Sequence, residues 1–187
     1  MSLTPLAVSA LALLNERPMH PYEMYQLLLA RHEDQLVKVR PGSLYHAVER
    51  LEQQQLVEVV GTEREGNRPE RTTYAITDAG YTALVDQLRE WLSTPAEEYP
   101  RFPVALAEAH NGPADLVTAD LGRYVVALDE QIAHLEQIVT TLTEDDVPEP
   151  YWIEADYLIT IRRAERDWIS RLIDRIETKD LPWHPTP

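Results

Sequence analysis

The chain has 187 residues, of which 44% are hydrophobic and 26% are charged, so it can bury a core and form one domain or two small ones. Its formal net charge is −15 and it contains no cysteine, which excludes disulfide bonds, thiolate zinc sites and cysteine nucleophiles. No stretch is apolar and long enough to span a membrane and no signal peptide is recognisable, so we expect a cytoplasmic protein with no membrane partner.

Two helices are predicted at the start of the chain. Thr4 followed by Pro5 is a typical helix start, and apolar residues recur at helical spacing until a break near residues 15–18. Pro21 then stands at a second first-turn position, and the apolar pattern carries this helix to about Arg31.

A third helix is predicted after the break at Pro41-Gly42, with Ser43 as its N-cap. Its buried stripe has spacings of four and three residues and consists of Leu44, Val48 and Leu51. The other face shows Tyr45, His46, Glu49 and Arg50.

The pattern then changes to that of a β-hairpin. Strands are predicted over residues 56–60 and 72–76, joined by a loop from Gly61 to Pro69. Thr77-Asp78 caps a further helix with apolar residues at helical spacing as far as Leu92. Three helices, a hairpin and a helix are the order of a winged helix-turn-helix domain.

Prolines at 95, 100 and 103 predict a linker, and two long helices follow it. The first has an unbroken 4-3 apolar seam, which consists of Leu121, Val125, Leu128, Ile132, Leu135, Val139 and Leu142. One face of the second carries Tyr157, Ile161, Ala164, Trp168 and Leu172. The sequence therefore predicts a mainly α protein, with a winged-helix domain at 1–94 and a helical dimerisation domain at 95–187.

Three segments resemble the PadR-like family of transcriptional regulators. They are Met19-His20-Pro21-Tyr22-Glu23-Met24, Gly42-Ser43-Leu44-Tyr45-His46-Ala47-Val48-Glu49-Arg50-Leu51 and Thr73-Tyr74-Ala75-Ile76-Thr77-Asp78-Ala79-Gly80. The second half resembles the longer subgroup of the family by shape alone. The resemblance implies a homodimer that represses nearby genes until a small hydrophobic or phenolic effector, or another stress signal, releases it.

Two residues depart from the family pattern. Pro21 stands where the family usually has glycine. This change is harmless, because proline suits a first helical turn. Gln55 replaces the glycine that usually ends the third helix, so we expect that helix to be longer or differently closed.

A winged helix inserts its third helix into the major groove and lays its hairpin tip along the phosphates or the minor groove. The residues predicted to bind DNA in this way are Lys38, Arg40, Ser43, Tyr45, His46, Arg50, Arg64, Arg68 and Arg71. The alternatives are that Tyr45 packs into the core, that Ser43 is only a cap, and that the cations are solvated surface.

The negative charge is unevenly distributed along the chain. Residues 1–90 hold nine Lys and Arg against thirteen Asp and Glu, whereas residues 91–187 hold eight against nineteen. Local basic patches in the first half would therefore have to contact DNA, and the acidic second half would point away from it.

We assign dimerisation to the 4-3 seam together with Ile161, Trp168 and Leu172 of the last helix. The alternative is that the two long helices pair within one subunit, and both arrangements can coexist. An effector pocket is predicted near Trp91, Phe102, Trp152 and Trp168, against the simpler interpretation that these aromatic residues are core and interface anchors.

The histidines lack metal-ligand spacing, and the sequence contains no glycine-rich phosphate loop and no nucleophile–base pattern. We therefore expect no enzyme, no metal and no cofactor. The predicted function is a homodimeric regulator, a repressor of transcription, that binds an inverted repeat in double-stranded DNA. The rival hypotheses are a protein-docking module, which the net acidity favours, and a small catalytic or metal-sensing protein.

Overall fold

The computed structural model describes residues 2–63 and 71–183, and for Glu63 and Arg71 it describes the backbone alone. Contacts divide the chain into two compact units, Met1–Glu97 and Glu98–Pro187. Seven helices and one two-stranded antiparallel hairpin lie within the described residues, which confirms the prediction of a mainly α fold with a winged helix. None of the helices described is both long and apolar enough to cross a lipid bilayer.

Unit 1 follows the predicted order of helices and strands. Its elements are α1 (Pro5–Glu16), α2 (Pro21–Ala30), a 3₁₀ turn (Glu33–Gln35), α3 (Pro41–Gln53), β1 (Val57–Glu63), β2 (Arg71–Ile76) and α4 (Asp78–Ser93). Helix α1 lies at the centre, because its residues are apolar nearly all round and seven of its twelve are buried. Leu11, Met24, Leu28 and Leu44 pack in the same core with no exposed surface.

Side chains cap the helices of unit 1 at their predicted starts. Thr4 caps α1, where its hydroxyl accepts from the Ala7 amide at 3.3 Å. Thr77 caps α4 by accepting from the Gly80 amide at 3.0 Å. These bonds satisfy amides that have no partner inside the helix.

The prediction that Ser43 caps α3 is wrong. The N-cap residue is Arg40, and Pro41 occupies the first helical position, where its fixed φ suits the helix and its missing N–H is no loss. The first intrahelical bond runs from the Leu44 amide to the Arg40 carbonyl at 3.0 Å. Ser43 is therefore the third helical residue, and its side chain is exposed.

The expectation that Gln55 changes the end of α3 is also wrong. Gln55 adopts a left-handed conformation with φ 59°, as the usual glycine would. The Leu56 amide donates to the Leu51 carbonyl at 2.9 Å and the Gln55 amide to Glu52 at 2.8 Å, which is a Schellman motif. Leu51 is buried in the core and Leu56 packs against the same core, which supports the closed turn despite the glutamine.

The first strand of the hairpin is longer than predicted. β1 continues through Gly61 to Glu63, with a register shift between Val59 and Gly61. Met19 pairs with Tyr74 of β2 through two backbone hydrogen bonds of 3.0 and 3.1 Å, so the segment before α2 is joined to the hairpin.

Unit 2 is built from α5 (Arg101–Glu108), α6 (Ala114–Glu144) and α7 (Ile153–Glu177). The two long helices pack antiparallel around two clusters, one with Leu135 and Ile159 and the other with Leu128 and Ile169. The turn between them is closed by the Trp152 indole, which donates to the Val147 carbonyl at 3.0 Å.

Candidate nucleic-acid interface

Helix α3 has one buried face and one exposed face. Leu44, Val48 and Leu51 are at most 1% exposed and pack in the core of unit 1. The predicted DNA-binding residues Ser43, His46 and Arg50 are all exposed on the same helix. The 3.6-residue period thus fixes α3 to the domain by one face and leaves the other free to meet a partner.

Tyr45 lies at the edge of the exposed face and not in the core. Its side chain is 37% exposed. Its ring meets the ring of His20 edge-on, with centroids 5.9 Å apart and an interplanar angle of 74°. The alternative that Tyr45 is a core residue is therefore wrong.

Lys38 and Arg40 precede α3 in an extended segment of alternating residues. Val37 and Val39 pack against the core. Lys38 and Arg40 alternate with them along the chain, so both cations are exposed. Two basic side chains thus lie next to the start of α3 in sequence.

Three of the arginines predicted to contact phosphates belong to the hairpin or its loop. Arg64 and Arg68 lie outside the described residues, and Arg71 is the first residue of β2, described by its backbone alone. Their assignment to the phosphate contacts stays a prediction.

Glu49 is a charged residue of this face to which the sequence analysis gave no role. Its Oε2 lies 3.3 Å from Nδ1 of His46, one helical turn earlier. The side chains of His46 and Glu49 are 78% and 58% exposed. The spacing of three residues within α3 was the signal that could have identified the pair.

Two further arginines of unit 1 are held by carboxylates. Arg31 donates two hydrogen bonds to Glu16, at 2.5 and 2.8 Å, and this contact holds the pKa of Glu16 below its usual value. Arg17 donates to Glu23 at 2.5 Å and lowers the pKa of that carboxyl. Because these cations are engaged within the domain, they are weaker candidates for phosphate contacts than Lys38 and Arg40.

The predicted dimerisation seam of α6 packs against α7 of the same chain. Leu121, Leu128, Ile132 and Leu135 are buried there, while Val125 and Val139 are partly buried against the same clusters. Leu142 and Leu172 are half-buried as well. The intramolecular pairing that the sequence left open is therefore present, and it occupies most of the seam.

Helix α7 carries a second apolar stripe on the side opposite α6. It consists of Ile153, Tyr157, Ile161 and Trp168, which are 58%, 62%, 49% and 48% exposed. Together with the exposed Ala164 they repeat at intervals of three and four residues, and we call these five residues the outer stripe. Of the predicted dimerisation residues, Ile161 and Trp168 belong to it.

The four aromatic residues predicted to line an effector pocket have different surroundings. Phe102 stacks on Tyr124 with centroids 4.2 Å apart, and Trp152 closes the α6–α7 turn. Trp91 on α4 and Trp168 on α7 are 41% and 48% exposed. Phe102 and Trp152 thus have structural contacts that account for them.

Within residues 2–63 and 71–183, no three or more His, Asp or Glu side chains are grouped so that they could hold a metal ion.

The comparisons with known proteins agree with this geometry. A sequence profile described as the transcriptional regulator PadR-like family matches residues 10–86. A comparison with curated proteins gives no match.

Solved structures of similar fold cover nearly the whole chain. Bacillus subtilis PadR in complex with operator DNA has a TM-score of 0.78 and 14% identity, over 94% of this chain and 99% of that chain. The same protein in complex with p-coumaric acid has a TM-score of 0.76 and 13% identity, over 92% and 98%. The Vibrio cholerae virulence activator AphA has a TM-score of 0.68 and 17% identity, over 93% and 99%.

The matched segment runs from within α1 to within α4 and includes α3, whose exposed face has been described above. The family whose profile matches this segment is described as one of transcriptional regulators. Residues 10–86 of this chain therefore match the transcriptional regulator PadR-like family, and the fold of the chain is similar to that of Bacillus subtilis PadR.

Proposed function

We propose that the chain is a homodimer that binds an inverted repeat in double-stranded DNA and represses transcription there, in the cytoplasm. In this proposal residues 1–94 bind DNA and residues 95–187 join two copies. The observation that carries it is the division of α3 into a buried stripe and an exposed face with Tyr45, His46 and Arg50. That the solved structure of Bacillus subtilis PadR is a complex with operator DNA supports the proposal.

Each exposed residue has a chemical role in this proposal. Lys38 and Arg40 contact phosphates, because cations release the counterions condensed on DNA. The amides of Gly42 and Ser43 precede the first intrahelical bond of α3, so they and the Ser43 hydroxyl suit a phosphate oxygen. Tyr45, His46 and Arg50 meet base edges in the major groove.

The outer stripe of α7 is our candidate for the contact between two copies. It spans 16 residues from Ile153 to Trp168, which places the first and the last about 22 Å apart along the helix at 1.5 Å per residue. Antiparallel packing about a two-fold axis near Ile161 would bring Ile153 of one copy against Trp168 of the other. A two-fold interface is self-complementary, so one stripe supplies both sides of it.

A small aromatic acid is our candidate effector. Bacillus subtilis PadR has been solved with p-coumaric acid, which supports a ligand of this class. Of the side chains of unit 2 predicted to receive it, Trp168 is exposed, whereas Phe102 and Trp152 already have the structural contacts described above. The Vibrio cholerae relative is an activator by name, so the sign of regulation needs its own test.

The binding proposal is tested by gel shifts of the full chain with a duplex from its own promoter and with a scrambled duplex, at two salt concentrations. We expect preferential binding of the promoter, weakened steeply by salt. Arg40→Ala should weaken binding to both duplexes. Tyr45→Ala should weaken binding to the promoter duplex much more than binding to the scrambled duplex. Arg89→Ala on α4 removes the same charge outside α3 and serves as the control.

Equal binding of the two duplexes, or no binding at low salt, would contradict the proposal. It would favour the protein-docking alternative, which the net charge of −15 supports. A reporter gene behind the bound promoter measures the sign of regulation, since a repressor lowers its expression.

A further inference from the structure

The exposed face of α3 carries a carboxylate where a phosphate-binding surface would be expected to carry none. Glu49 is 58% exposed at its side chain and belongs to the face that shows Tyr45, His46 and Arg50. A negative charge at this position opposes approach to any DNA, because the duplex carries one charge about every 1.7 Å of its axis. Such a residue can contribute to the affinity of a recognition helix for DNA only if a hydrogen bond to a base offsets this repulsion.

The carboxylate has one polar neighbour in α3, namely His46. The distance of 3.3 Å from His46 Nδ1 to Glu49 Oε2 is that of a weak hydrogen bond, and both side chains are largely exposed. A carboxylate has two oxygens and can accept several hydrogen bonds. Glu49 therefore keeps acceptor capacity for a donor on an incoming base while it contacts His46.

The chemistry of the major groove narrows the choice of that base. Cytosine presents the N4 amino group as a donor, and the recognised pairing of a Glu or Asp side chain is with this group. Adenine also presents an amino group, but its N7 acceptor lies beside it and would face the second carboxylate oxygen. A cytosine is thus the base that a glutamate on this face suits best.

We propose that Glu49 is a specificity-determining residue, which accepts a hydrogen bond from the N4 amino group of a cytosine in each half-site and repels DNA that lacks it. This inference rests on the proposed function, because it requires α3 to enter the major groove. Glu49 would then contribute to specificity in two ways. Its charge lowers the affinity for DNA of any sequence, and its hydrogen bond to cytosine recovers that affinity at the correct base pair.

The test selects duplexes from a random library with the full wild-type chain, with Glu49→Gln, with Glu49→Ala and with His46→Ala. Glu49→Gln keeps the shape of the side chain and removes its charge. Because the side chain is exposed, the substitution should leave the fold intact. Glu52→Gln is the matched control, since it removes the same charge from the same helix. Both carboxylates lie near Tyr74 of β2, and Glu52 acts on it more strongly than Glu49. Affinities for the selected and scrambled duplexes are then measured by fluorescence anisotropy.

We expect Glu49→Gln to lose the preference for cytosine at one position of each half-site and to bind the selected duplex about ten-fold more weakly. Its affinity for scrambled DNA should rise, because one negative charge per subunit has been removed. Glu52→Gln should select the same motif as the wild type.

Three outcomes would overturn the assignment. An unchanged motif for Glu49→Gln and also for Glu49→Ala, whose side chain can accept no hydrogen bond, would show that Glu49 reads no base. Loss of preference only at the position that His46→Ala also alters would make Glu49 a positioning residue for His46. If the wild type enriches no motif, the proposed function itself fails and the role of Glu49 fails with it, whereas in the first two cases the wild type still selects its operator.

Discussion

The ring of His20 joins the start of α2 to the exposed face of α3, because it forms a T-shaped pair with the ring of Tyr45, with centroids 5.9 Å apart. The same ring caps α2: its Nδ1 accepts a hydrogen bond from the Tyr22 amide at 3.0 Å. One side chain thus contributes both to the stability of the domain and to the orientation of a residue that we assign to DNA.

Substitution of His20 should separate these two contributions. His20→Asn loses the ring contact but keeps a good cap, whereas His20→Ala loses both, so we expect the alanine variant to be less stable than the asparagine variant by about 1 kcal/mol. Urea unfolding of the two variants measures the difference. Equal stabilities would show that the cap is unimportant.

Gly80 lies where α4 approaches the chain before the hairpin. A Cβ atom there would be 2.0 Å from the Leu56 carbonyl oxygen and 2.9 Å from a side-chain carbon of Ile76. That carbonyl also accepts from the Thr77 amide at 3.1 Å, so it is held in place. We expect Gly80→Ala to destabilise the protein by about 2 kcal/mol or more, although alanine is the better helix former.

Gly122 in α6 provides the control for this substitution, because a Cβ atom there would meet nothing within 4 Å. Gly122→Ala should stabilise the protein by about 0.5–1 kcal/mol through helix propensity. Thermal unfolding of both variants tests the contrast, and a stabilised Gly80→Ala would show that the close approach is absent in solution.

The left-handed conformation of Gln55 predicts a stabilising change. Gln55→Gly relieves the positive φ of 59° within an otherwise complete Schellman motif, and we expect a gain of about 0.5–1 kcal/mol. Gln54 has φ −85°, so Gln54→Gly gains no such relief and should be neutral or destabilising. Urea midpoints of the two variants compare them directly, and a loss of stability in Gln55→Gly would contradict the assigned turn.

The sequence predicts best what depends on local spacing. The buried stripe of α3 follows from Leu44, Val48 and Leu51 alone, and the start of α1 from Thr4 and Pro5. The start of α3 was misplaced because Pro41 and Ser43 are both good starting residues, and the proline occupies the first turn. Local patterns do not determine which of two acceptable residues begins a helix.

Contacts between distant residues were not predictable in this way. The rings of His20 and Tyr45 meet because α2 and α3 pack together. The spacing of residues within either helix does not predict a contact between the two helices. In α7, one apolar stripe includes Ile159 and Ile169 and another includes Ile161 and Trp168. The sequence shows that both exist, but the packing against α6 decides which of them is buried.

The Glu16–Arg31 contact predicts a dependence of stability on pH. The pKa of Glu16 is lower in the folded protein than its usual value of 4.5, chiefly through the hydrogen bonds from Arg31. The contribution of the Glu16 carboxylate to the free energy of unfolding is therefore fully present above about pH 4.5, and it is lost as the pH falls through the lowered pKa. Both side chains are nearly half exposed, so we expect less than about 1 kcal/mol.

Glu16→Gln tests this contribution. Its deficit in unfolding free energy at neutral pH should shrink towards zero in acid, where the wild-type carboxyl is protonated too. Glu97→Gln, in the segment after α4, is the control and should show no such trend. A deficit that stays constant with pH would mean that the charge of Glu16 is not what stabilises the pair.

The outer stripe of α7 makes the oligomeric state sensitive to a single charge. Sedimentation equilibrium of the wild type should give twice 21.5 kDa. Ile161→Lys places a cation in the middle of the stripe, where pairing with a second copy would bury it unpaired, so we expect dissociation to monomers at micromolar concentration. Ala133→Lys adds the same charge at an exposed position of α6 and should leave the dimer intact.

Circular dichroism of Ile161→Lys separates dissociation from unfolding, because Ile161 faces away from α6 and its replacement should preserve the helix pair. Weaker binding to an inverted repeat should accompany dissociation, since each half-site alone offers few contacts. A wild-type monomer, or a dimer unaffected by Ile161→Lys, would remove the outer stripe from the interface and leave the contact between copies to another surface of the chain.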